Sequence, residues 1–434
     1  MNSLLKAQNP EYIGKYEVLR VLGQGSTSTV YLADDPFAHR KVALKLFDPQ
    51  LLAHEGFKRK VQKIFHNEAA LVGQLRHPHI LEIYDAIADT QGSYLVMEYV
   101  SGGTLESYCC VDRLMPIDQV IEVVFKASRA LDHAYRHGVI HRDIKPANIL
   151  LTQSGDVKIS DFGSAMWLES DATQLQEGGS PAYMSPEQIR QEVISEQTDI
   201  YSLGVVMYEL LTGQYPYEQG TSGHLPYQIL QGELTAPNLY REDIFPELER
   251  IVLKALHRDT AQRYGSWKEF GDDLLGVASR PIICQSPFES DTKKFRTLQS
   301  LKFFQMFDDV QLWEVLRFSS WRKLEAGTQI IREGDVGDSF FILAQGEVVV
   351  SRSEVQLATL GMGECFGEML YFKSATAVRD TSVTVRQDSQ VIEIRAKALR
   401  QASDACQVQF NKAYLNILDA KLSRMVQLAS GQAA

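Results

Sequence analysis

The sequence predicts an α+β chain: a strand-rich lobe, then a larger helix-rich lobe, then a small β-roll with flanking helices. Three observations carry this expectation. Residues 16–100 hold short β-branched and aromatic runs, such as Tyr16-Glu17-Val18-Leu19 and Tyr94-Leu95-Val96-Met97. After Ser101-Gly102-Gly103, apolar residues recur at helical spacing, first over 117–135 and again over 200–211. Beyond residue 300, alternating residues are punctuated by Gly327, Gly334, Gly337, Gly346, Gly361 and Gly363, as in short strands joined by tight turns.

A chain of 434 residues exceeds one ordinary core, so more than one domain is expected. The first spans 16–276. Its strand-rich part is interrupted by one helix, expected over 57–75, with Val61, Ile64, Phe65, Glu68, Val72 and Leu75 on one face. Pro281, Pro287 and a mixed-charge run over 289–296 mark a linker, 277–299. The β-roll follows over 300–410, opening with a helix over 301–318. A helical pattern over 396–428 runs into a C-terminal helix and tail, 411–434.

Composition narrows the function. A net charge of −11 argues against a general nucleic-acid binder. The tail is also too short for a helix-turn-helix domain. No apolar run approaches the ~18 residues of a membrane span, and Met1-Asn2-Ser3-Leu4-Leu5-Lys6 lacks a secretory pattern. The five cysteines, at 109, 110, 284, 365 and 406, are odd in number and form no Cys-x-x-Cys. The expectation is a cytoplasmic protein with reduced thiols.

The chemistry concentrates in two strings. His141-Arg142-Asp143-Ile144-Lys145-Pro146-Ala147-Asn148 places an acid, a lysine and an asparagine within six residues, and Asp161-Phe162-Gly163 adds a second acid thirteen residues later. These are the parts needed to hold metal ions and aim a hydroxyl at a γ-phosphate. The strand-like runs Ile149-Leu150-Leu151 and Val157-Lys158-Ile159, joined through Ser154-Gly155-Asp156, form a hairpin that returns Asp161 to the end where Asn148 sits. The bland alternative is a surface turn with incidental acids.

Upstream, Gly23-Gln24-Gly25-Ser26-Thr27-Ser28-Thr29-Val30 lies between two strand-like runs. Its glycines would let backbone N–H groups approach phosphate. A helix, not a strand, would have to follow in a dinucleotide-binding fold. Ser28 stands where a third glycine is usual. Lys45 ends the strand-like Val42-Ala43-Leu44-Lys45. Such a lysine is commonly a solvated edge residue, but Glu68 is the lone carboxylate on the apolar helical face. Its burial costs several kcal/mol without a cation, and Lys45 is the candidate partner.

On these motifs the first unit resembles a bacterial Ser/Thr protein kinase of the eukaryotic (Hanks) type, which implies the bilobal protein-kinase fold. The resemblance implies ATP as the phosphoryl donor, with Mg²⁺, or Mn²⁺ in its stead, bound by Asn148 and Asp161. Asp143 would be the catalytic base, Lys145 would steady the transferred group, and Asn148 would complete the catalytic set. Leu22, Gly23, Gly25, Val30, Ala43, Lys45, Glu68, Glu98 and Val100 would form the nucleotide site, with Met97 behind the adenine. Gly179-Ser180-Pro181-Ala182-Tyr183-Met184-Ser185-Pro186-Glu187 resembles the segment that docks a Ser/Thr-bearing protein substrate. Glu187 would pair with Arg263, and Asp199 would brace the catalytic loop. Arg142 calls for an anion, which phosphorylation at Ser170 or Thr173 would supply.

In the third unit, Ile330-Ile331-Arg332-Glu333-Gly334-Asp335 and Gly346-Glu347-Val348-Val349-Val350 resemble the cyclic-nucleotide-binding jelly roll. The resemblance implies a sensor ligand, with Glu368 taking a ribose hydroxyl and Arg379 the cyclic phosphate. Leu370 and Asp380 depart from the pattern. A carboxylate about 4 Å from the phosphate would cost roughly 4 kcal/mol, about a thousandfold in affinity. A protein-interaction or homodimerisation module, or another ligand, stays open for the barrel. So do two further readings of the whole: a cyclic-nucleotide receptor, or a scaffold carrying a pseudokinase.

Overall fold

The computed structural model describes residues 10–48, 55–71, 73–89, 92–167, 180–217, 225–278, 290–367 and 378–429. The chain divides into two compact units, Met1–Gln285 and Ser286–Ala434.

The first unit opens with an antiparallel six-stranded sheet in the order β1-β2-β3-β4-β6-β5. Its strands are β1 (Tyr12–Ile13), β2 (Tyr16–Gln24), β3 (Ser28–Asp35), β4 (Arg40–Phe47), β5 (Ile83–Asp89) and β6 (Gly92–Glu98). Helix α1 (Glu55–Ala70) interrupts them and packs Val61 and Phe65 against Phe47, Leu81, Leu95 and Met97. The sequence pattern placed its end at residue 75. The helix stops five residues earlier because a turn follows, with Gly73 in the left-handed region (φ 73°). Leu75 is nevertheless buried.

The helix-rich lobe is built on α2 (Ile117–Arg136), α3 (Pro186–Arg190), α4 (Glu196–Thr212), α5 (Leu225–Gln231), α6 (Pro246–Ala255) and α7 (Trp267–Ala278). Helix α4 is apolar nearly all round, so it runs through the core. Ser195 caps its N-terminus and Gly213 (φ 68°) ends it. Between α2 and α3 lie β7 (Val139–Ile140), β8 (Ile149–Leu151), β9 (Val157–Ile159) and β10 (Met166–Trp167). β8 pairs antiparallel with β9, and β7 with β10.

The second unit begins earlier than the linker reading allowed. Residues 291–300 form a helix, α8 (Asp291–Ser300), whose N-cap Ser290 accepts a bond from the Lys293 N–H. Its charges had read as a linker, yet Thr292, Phe295 and Leu298 are buried on one face. The expected single helix over 301–318 is instead a 3₁₀ turn at Lys302–Phe304 followed by α9 (Asp309–Phe318), which Asp308 and Gln311 cap reciprocally. The antiparallel barrel contains β11 (Ser319–Leu324), β12 (Gln329–Ile331), β13 (Ser339–Arg352), β14 (Val355–Leu360), β15 (Cys365–Phe366) and β16 (Ser382–Arg395). Its main path runs β11-β16-β13-β14 around Phe341, Leu343, Val348, Phe366 and Val391. The C-terminal helical pattern is broken at 400–403 into α10 (Ala396–Leu399) and α11 (Asp404–Ala429).

Candidate active site

Three backbone constraints assemble the catalytic loop. Asp199, at the start of α4, accepts from the N–H groups of His141 (2.7 Å) and Arg142 (2.8 Å). Burial pushes its carboxyl up, and those two bonds with the neighbouring charges offset the push. His141 Nδ1 accepts from the Asp143 N–H at 3.3 Å, so Nε2 is the nitrogen that donates to the Ser160 carbonyl at 3.0 Å. The imidazole thereby links the loop to the segment carrying Asp161. Arg142 and Asp161 both sit in the left-handed region (φ 69° and 64°), conformations that the surrounding bonds must hold.

Asp143 is the centre of the resulting cluster. Its Oδ2 accepts from Lys145 Nζ at 2.8 Å, and its Oδ1 accepts from the Ser180 N–H at 2.7 Å. Lys145 Nζ also donates to Ser180 Oγ at 2.8 Å. Ser180 was read in the sequence as part of the docking segment, not as a partner of Asp143 and Lys145. Asn148, buried at the end of the loop, donates its amide nitrogen to the Asp143 carbonyl at 2.8 Å.

Across the cleft, Lys45 Nζ lies 2.6 Å from Glu68 Oε1 and 2.9 Å from Asp161 Oδ1. Burial works against the ammonium, but the Asp161 and Glu68 carboxylates hold its pKa above the ordinary value. Burial pushes Glu68 up to about 8, with Lys45 pulling against it and Asp161 adding to it. Asp161 goes the other way: Lys45 overcomes its burial and holds it below the usual carboxylate range. Asn67, beside Glu68 on α1, donates to the carbonyls of Gly163 and Ala165, both at 3.1 Å. Sequence reasoning missed it, because an asparagine on a helix has no distinguishing spacing. Gly163 is required where it stands: a Cβ there would lie 2.6 Å from Ile64 Cγ2 and 2.8 Å from Glu68 Oε1.

The nucleotide-site candidates line one region. Ala43 and Met97 are buried in a cluster against which Leu22, Val30, Val100 and Leu150 pack, half-buried. Glu98 ends β6, where it donates its N–H to the Glu82 carbonyl. Gly23 is exposed, and a Cβ built on it meets nothing within 4 Å. Ser28 has no left-handed backbone and is the first residue of β3, so glycine is not needed there. Asn148 and Asp161 offer the hard oxygens that suit Mg²⁺, and the open glycine turn suits phosphate, so these residues fit both groups.

The supporting ion pair is present: Arg263 makes a bidentate contact with Glu187 at 2.8 and 3.1 Å, both buried. Ser170 and Thr173, the proposed phosphorylation positions, lie outside the described residues, as do Glu368 and Leu370. In the barrel, Arg379 is buried, and its terminal nitrogens donate to the carbonyls of Gly367 (3.0 Å) and Ser339 (2.5 Å). A Cβ on Gly337 would lie 2.7 Å from Arg379 Nη2, and one on Gly367 2.7 Å from Nη1. Asp380 is exposed.

Two known families match the chain. The protein kinase domain family matches residues 16–273, and the cyclic nucleotide-binding domain family matches residues 321–405. A serine/threonine-protein kinase, PknB, of Mycobacterium leprae is 37% identical over 277 residues, which is 62% of this chain and 44% of the relative. Another, PrkC of Bacillus subtilis, is 34% identical over 263 residues, 60% of this chain and 40% of the relative. The chain thus spans less than half the length of these relatives.

Proposed function

We propose that this chain, which belongs to the protein kinase family, transfers the γ-phosphoryl group of ATP to serine and threonine hydroxyls of protein substrates, under control of its C-terminal barrel. The observation that carries the reading is the Asp143–Lys145–Ser180 cluster together with the Lys45–Glu68 pair.

Asp143 would accept the proton of the incoming hydroxyl. Its Oδ1 and Oδ2 are held by Ser180 and Lys145, so the carboxylate is already oriented before substrate arrives. Lys145 is the cation beside that carboxylate and would balance charge on the transferred group. Lys45, fixed by Glu68, would hold the α- and β-phosphates. Asn148 and Asp161 would hold Mg²⁺, which supplies charge neutralisation to the phosphates; Mn²⁺ would suit the same oxygens. The slot of Leu22, Val30, Ala43 and Val100 would take the purine. The presence of Lys45, Glu68, Asp143, Asn148 and Asp161 together disfavours a pseudokinase scaffold.

Transfer of labelled phosphate from ATP to a generic basic protein tests this. Asp143→Ala should lower the rate on the order of a hundredfold or more. Equal rates in parent and variant would sink the assignment.

A further inference from the structure

Lys158 is the central residue of β9, a three-residue strand buried throughout. Val157 and Ile159 point to one side, so Lys158 projects to the other. Its ammonium lies 2.7 Å from Glu98 Oε2 and 3.5 Å from the Ile80 carbonyl. The same Glu98 oxygen is 3.4 Å from the Glu82 N–H. The intervening segment is stitched to β9 through the backbone: the Ile159 N–H donates to the His79 carbonyl and the Leu81 N–H to the Ile159 carbonyl, both at 2.8 Å. Lys158 therefore joins three segments at the end of β6.

The position of this contact relative to the active site is the informative part. Val42 faces Glu98 across the β4–β6 pairing, so the Glu98 level lies three residues along β4 from Lys45. Lys158 lies three residues before Asp161. The sheet and the Asp161-bearing segment are thus tied twice, at matched intervals. One tie is Lys45 to Asp161, donated from the sheet. The other is Lys158 to Glu98, donated toward it. Between them lies Ala43 and the apolar slot.

We propose that Lys158 is a positioning residue that sets the spacing between the adenine-binding end of β6 and Asp161, and so tunes nucleotide affinity. The inference rests on the kinase reading above. The Lys158–Glu98 contact acts at the non-reacting end of the nucleotide, so its loss weakens ground state and transition state alike. That raises KM for ATP and leaves kcat nearly unchanged.

The test uses the full-length chain and Lys158→Met, which keeps the length of the side chain. KM for ATP should rise roughly tenfold, with kcat within about twofold of the parent. Calorimetry with ADP, without metal, should show the same loss of affinity, and Lys158→Arg should restore both. If Lys158→Met does not fold, Lys158→Gln carries the test, since it keeps a hydrogen-bonding side chain without the cation. It should raise the ADP dissociation constant roughly fivefold, and an unchanged constant overturns the proposal. Unchanged KM and ADP affinity in folded Lys158→Met overturns the proposal. So does a raised kcat at unchanged KM, which would make the contact a restraint on opening. A parent that transfers no phosphate fails the kinase reading instead, and ADP titration still decides the role of Lys158.

Discussion

Several side chains in the first unit are held far from their solution behaviour, and Glu209 is the most testable. It lies on α4 and accepts from the Tyr183 hydroxyl at 2.8 Å, beside the substrate-docking segment. Burial pushes its carboxyl up to about 7; the Tyr183 bond opposes this, and Glu106 adds to it. The folded value lies above the ordinary 4.5, so the folded protein keeps a proton that the unfolded chain has released. This contribution to stability is complete below pH 4.5 and is lost as pH rises through about 7. Glu209→Gln should therefore flatten the fall in melting temperature between pH 5 and 8 and be relatively more stable at the alkaline end. A pH slope unchanged by the substitution would show that the carboxylate is solvated.

Secondary-structure elements bring their own dependence. Helix α1 carries Glu68 toward Lys45, but it is Asn67 that fastens the helix to the backbone after Asp161. Removing two hydrogen bonds of about 1 kcal/mol each should let that backbone drift. Asn67→Ala is expected to lower kcat roughly fivefold or more, with faster amide exchange over 163–165. Unaltered exchange would mean that other contacts suffice. The sequence could name Glu68 because a carboxylate on an apolar face is a physical anomaly. It could not name Asn67, whose role depends on a backbone 96 residues away. Lys158 escaped notice for a related reason: one lysine in a short strand is ordinary until its carboxylate partner, 60 residues earlier, is seen. The hairpin and catalytic loop were legible because their chemistry lies within one local run. Helix α8 was not, because charged residues on its outer face masked the spacing of Phe295 and Leu298.

At the level of the whole molecule, the chain falls into two compact units. Among the described residues, no helix is long and apolar enough to cross a membrane. The barrel matches a cyclic-nucleotide-binding family, yet its arginine already faces two carbonyl oxygens. Freeing a guanidinium from such bonds costs about 1.5–3 kcal/mol for each. Titration of the full chain with cyclic AMP and cyclic GMP is therefore expected to give dissociation constants well above the micromolar range. Micromolar binding that disappears in Arg379→Ala would identify the barrel as a nucleotide receptor after all.

The packing of Arg379 against Gly337 and Gly367 also bears on how this barrel can change over generations. Gly337 has an ordinary backbone, so what an alanine there would displace is the guanidinium itself rather than the chain. A lineage that shortens residue 379 releases position 337 to acquire a side chain. Once that space is filled, the arginine can return only after the glycine does. The two sites should therefore drift together, each step back taken in the opposite order to the step out.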